Sequence, residues 1–332
     1  MENWSIGMMG ASNNNTPSLH RSNPTAAPFA DLHLHTQYSD GAYTPVELVR
    51  AAVREGFAAI AVTDHDTLDA IPESLAAGRE SGIEIIPGVE ITCRVEAKEI
   101  HMLGYFFGDD WKNPQLHAVL EHSKRIRERR IGEFVVKLNE LGIALKTEDV
   151  LACSDCGTIG RPHVAMALVK HGFVSSVDEA FDRFLRRGKP AYVERHRMTV
   201  AETIGHIKRA GGLAVLAHPG LNKVDQRIPN MVDQGLDGLE VWHSRHTTSQ
   251  SEHYLEMAGR FGLLATGGSD CHGIVGGKML LGSVKLPYER VEALKQRAAQ
   301  RSSSCHSELA PKAFGAGEEP RSKAGDASLR SA

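Results

Sequence analysis

DLHLHTQYSDG, residues 31–41, ends an apolar run with His33 and His35 and follows them with Asp40. Side chains alternate along a strand, so a histidine pair at i, i+2 aims both imidazoles at one face. Two neutral imidazoles and a nearby carboxylate outline a metal site. Whether the fold completes that site depends on how the other strand-like runs end.

Six more runs are short, apolar and β-branched: FAAIAVTDH, IEIIPGVEI, EIHMLGYFF, GLAVLAHPG, LDGLEVWHS and LLATGGSDCH. Most are followed by a helical pattern. Thr44 reads as an N-cap with Pro45 at the first helical position, and Gly56 as the residue past the helix end. TVAETIGHIKRAGG reads the same way from Thr199 to Gly211. Alternation of strand and helix predicts an α/β fold with a parallel sheet or barrel.

The alternation lapses between Tyr105 and Met198, where LHAVLEHSKRIRERRIGEFVVKLNELG, RPHVAMALVKHG and VDEAFDRFLRRG are helical patterns. This predicts a small helical lobe, residues 105–198, inserted into a barrel built from 29–104 and 199–299. Residues 111–198 carry 16 Lys and Arg against 11 Asp and Glu, a net of +5, which leaves −8 on the rest of the chain. A basic lobe on an acidic body suits an anionic substrate held between them. Residues 1–28 and 300–332 are rich in small and polar residues and are expected to be disordered tails.

Composition removes several classes. A formal charge of −3 argues against a wholly basic nucleic-acid coat. Five scattered cysteines are not a disulfide framework, and CSDC, with Cys153 and Cys156, is a lone pair too weak to define a zinc site. No apolar run spans a bilayer and no secretory pattern opens the chain, so a cytoplasmic location without membrane contact is expected. Nothing in the sequence points to an obligate protein partner.

The ligand-type residues share an address. His33 and His35 end the first run, His65 the second, Glu90 follows the third, and His101 lies in the fourth. His218 ends the fifth run, and Asp270 and His272 the last. In a parallel β/α barrel the C-terminal strand ends face one mouth, so these residues are expected to converge. With Asp40 they number nine, enough for two or three ions. Imidazole and carboxylate without thiolate suit Mn²⁺, Zn²⁺ or Fe²⁺. Cys271, between two of them, should point away on an extended segment. Asp64 and Asp66 flank His65, where orienting an imidazole and capping a helix are equal alternatives.

In order, HxH with YSDG, TDHDT, PGVE, HxLGY, AHPG and GSDxHG resemble the PHP (polymerase and histidinol phosphatase) family from about Asp31 to His272. The resemblance implies a distorted (βα)7 barrel and three divalent ions, with manganese favoured. One ion would take His33, His35, Glu90 and Asp270. A second would share Glu90 and take His101 and His218. The third would take Asp40, His65 and His272. GRPHVA, RGKPAYV and HSRHT resemble the branch that acts on nucleotides. Those enzymes hydrolyse 3′,5′-nucleoside bisphosphates or shorten 5′-phosphorylated RNA from its 5′ end. Arg161, His163, Lys189 and His246 then become phosphate-binding candidates, with His246 also a candidate general acid and His243 its rival. The implied reaction is phosphoester hydrolysis by a metal-activated water on a nucleotide or short single-stranded RNA. Competing readings are a histidinol-phosphate-type phosphatase, a 3′→5′ proofreading module and a non-catalytic metal-dependent binding module. The basic lobe, the lack of a polymerase region and the full ligand set speak against them in turn.

Overall fold

The computed structural model describes residues 28–96, 98–153, 159–194, 197–275 and 278–308. In chain order the strands are β1 Phe29–Leu34, β2 Phe57–Val62, β3 Glu84–Val95, β4 Lys98–Tyr105, β5 Met198–Thr199, β6 Leu213–Leu216, β7 Gly238–His243, β8 Leu264–Gly268, and the short β9 Ile274–Val275, β10 Lys278–Met279 and β11 Leu286–Pro287. The helices are α1 Pro45–Arg54, α2 Ile71–Ser81, α3 Pro114–Glu140, α4 Thr147–Leu151, α5 Arg161–Lys170, α6 Val177–Ala180, α7 Val200–Arg209, α8 Pro219–Asn222, α9 Ile228–Asp233, α10 Thr248–Phe261 and α11 Glu289–Glu308.

The main sheet runs β11-β1-β2-β3-β4-β6-β7-β8, with β5 beside β3. It curls until its ends meet: His35 N–H donates to Cys271 O at 3.1 Å, and Asp270 N–H to His33 O at 2.9 Å. The chain beyond β8 therefore closes a mixed barrel and brings the GSDCH segment against the HxH strand. All seven apolar runs become strands of this barrel. One expectation fails: β4 is antiparallel to both β3 and β6, so the barrel is not all parallel. The reason lies in the connection. β3 and β4 are joined at a turn where Glu96 takes φ 54°, and a link this short cannot carry a crossover between parallel strands.

Caps follow the sequence. Thr44 and Glu47 form a reciprocal capping box at α1, as do Thr199 and Glu202 at α7. Gly56 and Gly211 follow their helices at φ 79° and 86°, a region L side chains avoid. Helix α11 runs to Glu308, past the expected boundary at 299; the remaining tail residues lie outside the described ones, as does Cys156.

Period-two alternation places the site. On β4, Leu103 and Tyr105 pack in the barrel interior with Leu32, Ile86 and Val215, and the same face carries His101 upward to the mouth. On β3, Ile86 similarly aligns Glu90 and Thr92. A separate apolar cluster joins Phe134 and Leu138 of α3, Val164 and Leu168 of α5, and Leu185 and Val193 beyond them. It holds the helices after β4 together over the barrel mouth.

Candidate metal centre and phosphate cleft

Glu90 is the hub. It is 1% exposed. Its Oε1 lies 2.9 Å from His101 Nδ1 and 3.0 Å from His218 Nε2. Its Oε2 lies 3.0 Å from His65 Nδ1 and 3.4 Å from the Nε2 atoms of both His33 and His35. Asp270 Oδ1 approaches His35 Nε2 at 3.2 Å and His33 Nε2 at 3.5 Å. Asp40 reaches His272 Nε2 at 3.1 Å and His65 Nε2 at 3.6 Å. The nine residues marked by the sequence thus meet in space. Their donor atoms fall into three overlapping groups within 4.8 Å: His35, Asp40, His65 and His272; His33, His35 and Glu90; and His65, Glu90 and His101. These overlap the three sets implied by the resemblance without reproducing them, since His65 stands beside Glu90 as well as Asp40.

The cluster fits cations. His33 Nε2, both ring nitrogens of His35, His65 Nδ1 and Glu90 Oε2 are buried without a hydrogen-bond partner. Each such group costs roughly 1–3 kcal/mol when left unsatisfied, a penalty that coordination removes. Burial alone would raise the Glu90 pKa, but the imidazoles of His65, His101 and His33 outweigh it and hold the carboxyl well below its usual range. At His272 burial is overridden by Asp40, and the imidazole is raised to about 9. Cys271 is fully buried, its thiol facing Gly273 and pushed up by burial, so it points away from the cluster.

A supporting layer fixes these donors. His33 Nδ1–H donates to Glu240 Oε1 at 2.9 Å, which turns Nε2 toward the cluster. Glu240 Oε2 accepts the His218 amide at 2.7 Å, holding that residue at φ 32°. Asp64 accepts from the Thr36 amide at 2.7 Å and from the Thr36 and Ser39 hydroxyls at 2.6 Å each. It therefore anchors the loop that carries Asp40. Asp66 accepts the Thr92 amide and pairs with Arg127 of α3, so it ties the barrel to the helices above rather than orienting an imidazole. His243 Nδ1 accepts the Arg245 amide, leaving Nε2–H to face Asp270 Oδ2 at 3.3 Å. Glu240 went unmarked in the sequence reading. Its signal was an acidic residue inside an otherwise apolar strand, LEVWH.

A cavity of about 300 Å³ joins this centre to the helices. Asp40, His65 and His101 line one side, Arg130, Arg161 and His163 another. Arg161 opens α5 beside Pro162, where the helix N-terminus also favours an anion. His163 Nδ1 accepts the Gly160 amide at 3.1 Å. Arg130 is buried and pinned by two bonds to Val193 O. Arg127 and Arg197 complete the cationic wall, paired with Asp66 and Glu99. Arg127 and Arg130 of α3 were hidden in the sequence because a basic helix face looks alike whether it faces water or a cleft, and Arg197 because it lies on the link into β5.

Two expected phosphate ligands are elsewhere. Lys189 is exposed on a turn and does not line the cavity. His246 is locked by backbone: Nδ1–H donates to Val241 O at 2.9 Å and Nε2 accepts the Gly220 amide at 3.1 Å. Burial lowers its pKa. A neutral ring with both nitrogens engaged braces the α8 turn and has no proton poised for a leaving group.

A mixed barrel that gathers imidazoles and carboxylates at its mouth, under a wall of arginines, defines a metal-dependent phosphoester hydrolase. The chain belongs to the PHP family, whose domain model matches residues 31–210. It is 36% identical over 247 residues to a 5′-3′ exoribonuclease of Haemophilus influenzae, covering 73% of this chain and 89% of that one. It is 33% identical over 248 residues to a 3′,5′-nucleoside bisphosphate phosphatase of Chromobacterium violaceum, covering 73% and 86%. The crystal structure of a candidate metal-dependent phosphoesterase from Bifidobacterium adolescentis superposes with a TM-score of 0.68 at 34% identity, covering 82% of this chain and 97% of that one. No helix among the described residues is long and apolar enough to cross a membrane.

Proposed function

We propose that this hydrolase breaks the ester at the 3′ phosphate of nucleotides that carry a 5′ phosphate. 3′,5′-Nucleoside bisphosphates and short 5′-phosphorylated single-stranded RNA are then substrates of one chemistry. The observation that carries this reading is a single cavity lined at once by residues of the histidine–carboxylate cluster and by the Arg161 wall. With metals bound at the cluster, each would take one phosphate of a nucleotide that carries two. The two relatives named for these activities support it.

Three overlapping donor groups support three divalent ions, and a nitrogen and oxygen donor set without thiolate suits manganese, zinc or iron, of which we propose manganese. Glu90 would bridge two of them. Bound ions would supply an activated water and neutralise charge developing at phosphorus. The chain itself does the positioning. Glu240 fixes the His33 tautomer, Asp64 holds the Asp40 loop, and Arg161 grips the 5′ phosphate, where a guanidinium can bind bidentately. We assign the protein to the cytoplasm. Purified protein with manganese, tested against pAp, short 5′-phosphorylated RNA and histidinol phosphate, examines the proposal. Turnover of histidinol phosphate alone would replace it with the small-phosphatase reading.

A further inference from the structure

A second groove, about 650 Å³, lies between the tip of the β3–β4 hairpin, the turn after α8 and the start of α10. Its inner end is Gly220, two residues beyond His218 of the metal cluster. The two cavities take alternate residues of β4: Glu99 and His101 line the arginine cleft, and Lys98 lines this groove. The metal cluster therefore has the Arg161 wall on one flank and the groove on another.

The groove carries Lys98, Lys223 and Arg227 against two carboxylates. Its two carboxylates are already committed. Glu96 pairs with Arg227, and Asp225 accepts from His253 and from the Tyr254 hydroxyl, each at 2.9 Å. That leaves Lys98 and Lys223, both exposed, as cations without an acidic partner among the described residues. The inner end is rigid. The Gly220 amide is bound by His246 and its carbonyl accepts from Gln250 Nε2 at 3.3 Å. A Cβ on Gly220 would meet the His246 ring at 2.8 Å. Exposed lysines on a groove bind a phosphate backbone by charge and carry no sequence information.

We propose that this groove holds the RNA on the 3′ side of the reacting phosphodiester, with Lys98 and Lys223 contacting its phosphates. The inference rests on the activity proposed above and adds where the leaving strand runs. A nucleoside bisphosphate ends at its 3′ phosphate and places nothing there. The groove would thus separate the two substrates of one active site.

The test is the double variant Lys98→Ala/Lys223→Ala, compared with wild type on pAp and on a short 5′-phosphorylated RNA. Two lost single-strand contacts, at about 0.7 each in the salt slope, predict a kcat/KM loss on RNA of about 25-fold at 0.1 M salt and a slope shallower by about 1.4. Turnover of pAp should stay within about twofold, since it makes neither contact. Equilibrium binding of the same ligands in metal-free buffer, read by fluorescence anisotropy for RNA and calorimetry for pAp, gives a second readout. If wild type hydrolyses neither ligand, the proposed activity fails, while selective loss of RNA binding still supports the groove. Equal losses on both ligands, or no loss of RNA affinity and turnover, would overturn the assignment.

Discussion

Glu240 receives the His33 ring at 2.9 Å through one carboxylate oxygen and the His218 amide at 2.7 Å through the other. One buried side chain thus couples the first strand of the barrel to the turn after β6. Because Glu240 is fully buried, its charge has no solvent and is satisfied by these partners. Glu240→Gln should weaken metal binding by about 10- to 100-fold, the usual cost of removing such a partner. Metal titration by calorimetry checks this, with circular dichroism as the control for folding. Unchanged affinity would mean that His33 is oriented without it.

Glu90 sits at the centre of five imidazoles. Glu90→Gln keeps the volume and removes the charge they share. Hydrolysis should be abolished and metal content should fall, while the barrel stays folded. Elemental analysis and a thermal melt test the two halves separately. Full activity in this variant would sink the bridging role.

Arg161 predicts a substrate-dependent loss. Arg161→Ala should cost about 2–5 kcal/mol in kcat/KM on pAp, the range for truncating one partner of a charge pair that substrate binding buries. An aryl phosphate, with no second phosphate, should lose little. Equal losses on both would move Arg161 to the reacting phosphorus or to folding.

Proton release gives a prediction independent of turnover. In the metal-free protein His272 is raised to about 9 by Asp40, which overrides burial. The sign follows from that direction. The His272–Asp40 pair stabilises the metal-free fold fully between about 4 and 6.5, loses its contribution as pH rises through about 9, and loses it again in acid as Asp40, held low by His272, takes up a proton. A metal ligand must be the neutral imidazole, so binding at pH 7.5 expels this proton and affinity climbs with pH. Calorimetry in two buffers of different ionisation enthalpy should report net proton release. A buffer-independent enthalpy would exclude His272 as a ligand.

Much of this was legible in the sequence, and the losses have physical causes. The nine cluster residues stood out because a barrel mouth collects strand ends, and H-x-H, PGVE and GSDxH end their runs on polar, ligand-type residues. The direction of β4 was missed because apolar patterning alone carries no direction; the signal was the short gap between ITCRVE and KEIHML, which rules out a crossover. Glu240 was obscured because burial of a single acid depends on a partner far along the chain, here His33. His246 misled because a histidine after a strand end looks the same whether its nitrogens face substrate or the backbone of Val241 and Gly220. Lys189 misled because its motif locates a turn and leaves open which way the turn faces.

The central claim is that one cleft holds a 5′ phosphate at Arg161 and reacts one nucleoside away at the Glu90 cluster. It is tested most directly with a short RNA labelled at its 3′ end and offered in manganese with a 5′ monophosphate, a 5′ hydroxyl or a 5′ triphosphate. The account predicts a ladder shortening from the 5′ side, strongest for the monophosphate and weak for the other two. Equal rates for 5′-hydroxyl and 5′-monophosphate RNA, or release of single nucleotides from the 3′ end, would contradict it.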